Sequence, residues 1–187
     1  GIFLTAGSTK TSTATGVIQL TGTAGGGTTN AVTIDNGAAV LTTSGNISAN
    51  ATGGLSLLAG ASGSAQMATT NGNINATASD VLVLTGSTLL NSFAQMTVGN
   101  AANTVTIQSL GIDMNAGTGS GAFAEISSNG GLITIDGAGP ISLTGGSNAT
   151  SPAQIINRTN IPSGDAIQIG ITTPPTTLTL QGGLAAD

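Results

Sequence analysis

The chain has 187 residues with a net charge of −5, 5% charged residues, 2% aromatic residues and 30 glycines. Because only two residues are basic, the sequence does not supply the positive surface on which nucleic-acid binding depends. Histidine and cysteine are absent, which removes the common ligands of zinc and the common general base at neutral pH. No apolar run approaches the roughly 20 residues of a membrane-spanning helix. We therefore expect no nucleic-acid partner, no membrane span and no cofactor.

The apolar content of the chain argues against a flexible linker rich in Gly, Ser and Thr. Hydrophobic residues make up 39% of the sequence and the mean hydropathy is +0.33, which is too apolar for a solvated coil. β-branched residues and turn formers dominate, while charged helix formers are nearly absent. This composition predicts an all-β fold.

Short strands follow one another from the N-terminus. IFLTAG from Ile2 predicts a partial coil, and a first full coil over 17–54 contains IQLTG from Ile18, AVTIDN from Ala31 and GNISA from Gly45. Each segment is apolar at alternate positions and is followed by turn-forming residues. This is the pattern of a half-buried strand and then a turn.

The following coils repeat the same order of three strands. The coil over 55–80 reads LSLLAG, AQMATTN and GNINA, and the coil over 81–110 reads LVLTG, AQMTVGN and NTVTI. The coil over 111–139 reads IDMNAG, AEISSN and GLITI, and the coil over 140–176 reads ISLTGG, AQIINRTN and DAIQI. LTLQGG from Leu178 predicts a last partial coil.

The middle strand of each coil fixes the period, because Ala65, Ala94, Ala124 and Ala153 are separated by 29, 30 and 29 residues. Three short strands cannot bury their apolar faces alone, but they do so when each lies on its equivalent in the next coil. The repeat predicts a single domain over 1–187, a parallel β-helix or β-solenoid of about six coils and about 29 residues per coil. The general crossover preference favours right-handed winding.

Amide side chains recur at one outward position of the middle strand. The predicted ladder contains Gln66, Gln95 and Gln154, with Glu125 between the last two. A single glutamate among glutamines avoids placing like charges on neighbouring strands. We expect this ladder to stabilise the solenoid.

The turn after the middle strand predicts a second ladder, formed by Asn71, Asn100 and Asn129. Stacked asparagine side chains hydrogen-bond along cross-β assemblies. Asparagine also tolerates the left-handed turn conformation, which alone explains its presence there. Both interpretations are structural, and the sequence leaves them open.

Four apolar side chains are predicted to stack between neighbouring coils. Phe93 and Phe123 each precede the first alanine of a middle strand, so they lie on consecutive coils. We interpret them as a stacked pair at a corner of the solenoid rather than as a sugar platform. Met67 and Met96 share an inward position and are expected to fill the core.

Two coils are longer than the others. The first carries a glycine-rich insertion around 25–27, and the last carries a polar excursion over 157–164 and then ITTPPTT over 171–177. Insertions in repeat proteins form loops, and loops are frequent sites of function. We interpret both as surface loops.

The sequence argues against an enzyme. General acid–base chemistry needs clustered acids, a histidine or a metal site. The acids of this chain are scattered, at Asp35, Asp80, Asp113, Glu125, Asp136, Asp165 and Asp187. A polysaccharide-degrading enzyme is therefore our third hypothesis, and it requires acids that pair across coils.

Three segments resemble the repeats of filamentous-haemagglutinin-type large exoproteins and related autotransporter passengers. They are TTSGNISANATGGLSLLAG over 42–60, TTNGNINATASDVLVLTG over 69–86 and GGLITIDGAGPISLTGG over 130–146. The resemblance implies a secreted β-helical shaft on a bacterial surface, with an adhesive or structural role and an extracellular or cell-surface location. No functional residue follows from it, because the similarity is one of repeat pattern.

The first and last coils show no capping helix or charged blunting strand, so we predict an assembly interface formed by Ile2, Leu4, Leu178 and Leu180. Contact of that kind is head-to-tail and propagates into a filament. The predicted function is a non-enzymatic secreted shaft or subunit of a surface fibre or adhesin. Its partners are further copies of itself or flanking coils of a longer chain, with surface carbohydrate as a possible ligand.

The alternative function is an ice- or polysaccharide-binding solenoid that uses a flat, threonine-rich face. Four threonines are predicted to share one outward column of the first strand, namely Thr5, Thr21, Thr85 and Thr144. Asn115, Gln181 and Leu58 interrupt this column, which places the hypothesis second. A thermal-hysteresis assay separates it from the shaft, which should give no hysteresis.

Overall fold

The structure is a computed structural model that describes residues 1–5, 9–12, 15–25, 30–61, 63–159 and 166–183. These residues form nineteen β-strands and no helix, which confirms the all-β prediction. The strands lie in three parallel sheets that wind around one interior, at roughly 29 residues per turn. The predicted β-solenoid is therefore the fold of the chain.

Sheet A contains seven parallel strands, each paired with its equivalent one turn away. Its strands, numbered in chain order, are β1 (Ile2–Leu4), β4 (Asn30–Asp35), β7 (Gly54–Leu58), β10 (Val81–Thr85), β13 (Gly111–Asn115), β16 (Ile141–Thr144) and β19 (Leu178–Gln181).

Sheet B contains six strands and includes the middle strands that carry the amide ladder. They are β2 (Thr9–Ser12), β5 (Ala39–Thr42), β8 (Ala65–Thr69), β11 (Ala94–Val98), β14 (Ala124–Ser128) and β17 (Ala153–Asn157).

Sheet C closes each coil and also contains six strands. They are β3 (Ile18–Thr23), β6 (Ile47–Thr52), β9 (Ile74–Ala78), β12 (Val105–Gln108), β15 (Ile133–Asp136) and β18 (Ile167–Ile169). The first eighteen strands therefore form six sets of three, and β19 adds one more strand to sheet A. About five turns separate the first and last strands of the six-stranded sheets.

The predicted order of the first strands is wrong. IQLTG from Ile18 is predicted as the first strand of a coil, but it is β3 and pairs with β6 in sheet C. AVTIDN from Ala31 is predicted as the middle strand of that coil, but it is β4 and lies in sheet A between β1 and β7. The first coil consists of β1, β2 and β3, so 17–54 is not one long coil. The error arises because all three strands of a coil have the same alternation, and only the pairing partner distinguishes them.

The predicted loops fall partly outside the described residues. Of the glycine-rich insertion around 25–27, only Gly25 is described, and it is exposed. Of the excursion over 157–164, residues 160–164 lie outside the described part. In the described part of that segment, Asn157 is the last residue of β17, and Arg158 and Thr159 follow it directly.

Inward side chains of the three sheets form one apolar core. Met67 and Met96 are fully buried and directly paired between β8 and β11, as the sequence predicts. Ile34, Leu57 and Leu84 occupy the equivalent column of sheet A and are also fully buried. Each such side chain contributes about 1.5–3 kcal/mol through removal of its apolar surface from water.

The turn that leads into sheet C admits no side chain at two of its positions. A Cβ added to Gly72 would lie 1.9 Å from the carbonyl oxygen of Gly45 in the preceding coil. That distance is far inside van der Waals contact, and a Cβ added to Gly45 would meet the carbonyl oxygen of Gly16 in the same way, so the coils stack at this corner only because both residues are glycine. The glycine of the repeated Gly-Asn dipeptides at 45–46 and 72–73 follows from this close approach.

Candidate functional site

The outward face of sheet B brings the predicted glutamine ladder together. Gln66 pairs with Gln95, Gln95 with Glu125, and Glu125 with Gln154 in the strand register. The Gln66 Nε2 atom donates to Gln95 Oε1 at 3.3 Å, and Gln95 Nε2 donates to Glu125 Oε1 at 2.9 Å. Gln154 Nε2 donates to the other carboxylate oxygen at 2.6 Å. The ladder therefore converges on one carboxylate.

Glu125 is buried although it lies on the outer face of sheet B, with a relative exposure of 1%. The guanidinium of Arg158 donates to its Oε2 atom and forms an ion pair with it. Burial alone would raise the pKa of Glu125, but hydrogen bonds from Arg158, Gln95, Ser127 and Gln154 outweigh burial and hold that pKa below its ordinary value. Arg158 is not among the predicted ladder residues, because it lies 33 residues along the chain from its partner and outside the repeated position.

The predicted asparagine ladder forms only one step. Asn100 Nδ2 donates to Asn71 Oδ1 at 3.0 Å. The Asn129 side chain instead makes a long contact of 3.5 Å with the carbonyl oxygen of Gly99. In the turn after β11, the N–H of Asn103 donates to the Asn100 carbonyl and the N–H of Ala102 donates to Asn100 Oδ1 at 3.0 Å, so both oxygen atoms of Asn100 are bonded within their own turn.

A different asparagine column, which is not among the predicted ladders, supports the entry to sheet C. The Asn46 Oδ1 atom accepts the backbone N–H of Asn73 at 2.8 Å, and Asn73 Oδ1 accepts the N–H of Thr104 at 2.8 Å. The signal in the sequence is the Gly-Asn-Ile motif at 45–47 and 72–74. These amides join consecutive coils through side chain to backbone bonds.

Phe93 and Phe123 stack on each other as predicted. Their ring centroids are 4.3 Å apart and the ring planes differ by 9°. Because each ring turns a face toward the other, these faces are not available to a sugar ring. The pair therefore packs a corner of the solenoid between β11 and β14.

The C-terminal end of the described solenoid exposes the side chains that belong to its interior. Leu178 and Leu180 are 53% and 69% exposed, whereas Ile141 and Leu143, their partners in β16, are 3% and 7% exposed. An open cavity of about 460 Å³ lies at this end, lined mainly by Leu143, Ile155, Ile167, Ile169, Leu178 and Leu180.

At the N-terminal end the predicted interface residues are better covered. Leu4 is 9% exposed and Ile2 is half-buried, and both pair with β4. Phe3 points outward on the same strand and is 63% exposed. The two ends therefore differ in how much core they expose.

The predicted threonine column does not form a continuous face. Thr85 and Thr144 share an outward position of sheet A, but Asn115 lies between them. Thr21 belongs to β3 in sheet C, where it pairs with Asn50, so its predicted place in the column is wrong. Thr5 lies directly after β1.

Asp136 is bonded to the backbone of the segment that precedes β19. Asp136 Oδ1 accepts the backbone N–H of Thr172 at 2.9 Å and that of Thr173 at 3.3 Å. The Thr172 bond is the main reason that the pKa of Asp136 lies below its ordinary value. Within the described ranges, no group of three or more Asp or Glu side chains has the geometry of a metal site.

The fold and this arrangement of side chains define a β-solenoid of the kind that β-helix repeat proteins build. Comparison of the chain with family models, with curated proteins and with solved structures finds no match in any of the three. Over the described part, no helix has the length and apolarity to cross a membrane.

Proposed function

We propose that this chain is a non-enzymatic structural protein, a secreted β-solenoid that forms the shaft, or a subunit of the shaft, of an extracellular or cell-surface fibre or adhesin. The observation that carries the proposal is the exposed core at β19. Leu178 and Leu180 occupy two inward positions of sheet A whose equivalents are buried in all five strands from β4 to β16. Their exposure supports the stacking of another coil on β19.

A further coil on β19 gains both apolar contact and backbone hydrogen bonds. Burial of Leu178 and Leu180 contributes about 1.5–3 kcal/mol for each side chain. The free edge of β19 also gains the parallel ladder that every interior strand of sheet A already has. Each added coil offers the same kind of apolar side chains and free strand edge to the next coil, so the contact can repeat along a shaft.

The incoming coil comes either from a second copy or from flanking coils of a longer chain. In a second copy, Ile2 and Leu4 stand in the register positions that match Leu178 and Leu180, since β1 and β19 both belong to sheet A. Sheet A has one strand more than sheets B and C. Stacking β1 on β19 therefore leaves one strand position to be filled in each of the other two sheets, whereas flanking coils of the same chain fill them directly.

The resemblance of the repeats to filamentous-haemagglutinin-type exoproteins supports the secreted, adhesive side of the proposal. The side chains of the described shaft support a mechanical role, because Glu125 and the amides around it bond coil to coil. The low net charge of −5 leaves little repulsion against axial contact.

Negative-stain electron microscopy over a concentration series tests head-to-tail assembly. We expect unbranched filaments from the wild-type chain, and none from Leu180→Lys, because a lysine at the open core cannot be buried unpaired. Thr179→Lys is the matched control, since it adds the same charge to the outward face of the same strand. Strictly monomeric wild-type protein at high concentration would refute self-assembly and leave flanking coils as the partner.

A second candidate function, binding of ice or neutral polysaccharide, is favoured by sheet C rather than by the predicted face. The outward residues of sheet C form two rows of hydroxyl and amide side chains, and Asp136 is the one acid among them. The first row is Gln19, Ser48, Asn75, Thr106, Thr134 and Gln168, and the second row is Thr21, Asn50, Thr77, Gln108 and Asp136. Thermal hysteresis or retention on a polysaccharide column that Thr106→Tyr abolishes would support this function.

A further inference from the structure

The chain contains three Asn-Gly pairs in turns, and the structure places them in three different environments. They are Asn36–Gly37, Asn71–Gly72 and Asn129–Gly130. We propose that Asn71 is a site of spontaneous covalent modification, deamidation to aspartate or isoaspartate, and that Asn157 protects Asn129 from the same reaction. This inference is independent of the proposed function.

The reaction needs only water and the chain itself. The backbone nitrogen of Gly72 attacks Cγ of the Asn71 side chain, a C–N bond forms, the nitrogen loses its proton and ammonia leaves. Water then opens the five-membered imide at either carbonyl and gives aspartate or isoaspartate. The balance is one water consumed and one ammonia released, with one negative charge gained.

Asn71 combines a free nucleophile with a polarised carbonyl. It is exposed, and in the described part of the chain the N–H of Gly72 donates to no acceptor, although Gly72 itself is buried against Gly45. Asn100 Nδ2 donates to Asn71 Oδ1 at 3.0 Å. That donor points at the oxygen on which negative charge develops when Cγ is attacked, so it stabilises the transition state.

Asn129 is equally exposed, but its nucleophile is occupied. The N–H of Gly130 donates to Asn157 Oδ1 at 3.0 Å, while Asn157 Nδ2 donates to the carbonyl of Gly131 at 2.7 Å. The nitrogen must leave this bond before it can attack. The expected slowing is about fivefold to tenfold, the rate equivalent of about 1–1.4 kcal/mol for one hydrogen bond.

Asn36 is restrained through its own conformation and packing. It is half-buried, its φ is 49°, and its side-chain oxygen lies 2.5 Å from the place where a Cβ of Gly60 would stand. The Asn36 side chain therefore lies against the backbone of Gly60 in the neighbouring coil. We expect Asn36 to react more slowly than Asn71.

Peptide mapping by mass spectrometry after incubation of the folded protein in mildly alkaline buffer tests the proposal. We expect Asn71 to be deamidated first, and Asn100→Ala to slow that reaction. Asn157→Ala should raise the rate of deamidation at Asn129 by about fivefold to tenfold. Asn157→Asp keeps an acceptor for the Gly130 N–H and should keep the protection, which separates loss of the bond from loss of the fold.

Two results would overturn the inference. One is conversion of Asn129 as fast as that of Asn71 in the folded wild-type protein. The other is an equal acceleration of all three sites in Asn157→Ala, since that outcome points to general opening rather than to the Gly130 bond. In urea-unfolded protein the three sites should react at similar rates, because each asparagine is followed by glycine, whose backbone nitrogen is the nucleophile, and the protection by the fold is gone.

Discussion

Replacement of Gln95 by glutamate tests whether the ladder on sheet B stabilises the solenoid through its single charge. In the wild-type chain Gln95 Nε2 donates to Glu125 Oε1 at 2.9 Å. Gln95→Glu removes this donor and places a second carboxylate on the neighbouring strand, about 4.8 Å away. The change preserves the size and shape of the side chain, so its effect is electrostatic.

The magnitude follows from two contributions. Two unit charges about 5 Å apart repel by about 3 kcal/mol at an effective dielectric constant of about 20. Loss of a hydrogen bond to a charged group costs about 1.5–3 kcal/mol. Because the Gln95 side chain is only half-buried, solvent screens part of the repulsion. We expect the free energy of unfolding to fall by about 2–4 kcal/mol, equivalent to a decrease in Tm of about 4–16 °C for a chain of this length.

Gln66→Glu is the matched control on the same ladder. Gln66 lies two strands from Glu125 and donates to Gln95 rather than to the carboxylate. The new charge is then about 10 Å from Glu125, beyond the Debye length of about 8 Å at physiological salt. We expect a loss of less than about 1 kcal/mol.

Thermal unfolding followed by circular dichroism measures both variants, since the chain has neither Trp nor Tyr for fluorescence. An unchanged Tm in Gln95→Glu would refute the stabilising role of the ladder. Equal losses in the two variants would refute the assignment of the effect to Glu125. The loss in Gln95→Glu should also shrink as the pH falls, because protonation of either carboxylate removes the repulsion.

Two further predictions concern the buried carboxylate and the glycine corner. The folded-state pKa of Glu125 is below its ordinary value, so its ionised form stabilises the fold fully above the unfolded-state pKa, and this contribution is lost as pH falls through the folded-state pKa. The Tm of the wild-type chain should therefore drop in acid more steeply than that of Glu125→Gln, and parallel curves would contradict the pKa direction. Gly72→Ala should destabilise the chain by about 1–3 kcal/mol or more, because its Cβ meets the Gly45 carbonyl at 1.9 Å. Gly25→Ala, where no atom lies within 4 Å of the added Cβ, should change the Tm little, and equal effects at the two sites would refute the steric explanation.

The sequence alone determined that the chain folds as a solenoid, because the interval between repeats and the alternation of apolar residues along each strand are enough to specify that fold. The interval between Ala65, Ala94 and Ala124 equals one turn, and alternation along each strand separates Met67 and Met96 from the outward Gln66 and Gln95. Both properties are fixed by the pleat of a strand and by repetition, which do not depend on distant residues.

The tertiary structure decided which strand lies on which. IQLTG from Ile18 and AVTIDN from Ala31 alternate like every other strand, so their sequences do not reveal that one belongs to sheet C and the other to sheet A. The stacking of the turns also depends on the neighbouring coil. Asn100 donates to Asn71, whereas Asn129 makes only a long contact with Gly99, and the oxygen atoms of Asn100 accept N–H groups of their own turn.

The features on which the proposed function depends also needed the assembled coils. Glu125 is buried on an outward face, where Gln95, Gln154 and Arg158, 33 residues later, all donate to its carboxylate. Leu178 differs from Ile141 in exposure although the two are equivalent in sequence pattern, since a strand buries its apolar face only when the next coil covers it. The sequence determined which side chains face inward, and the stack of coils determined which of them are covered.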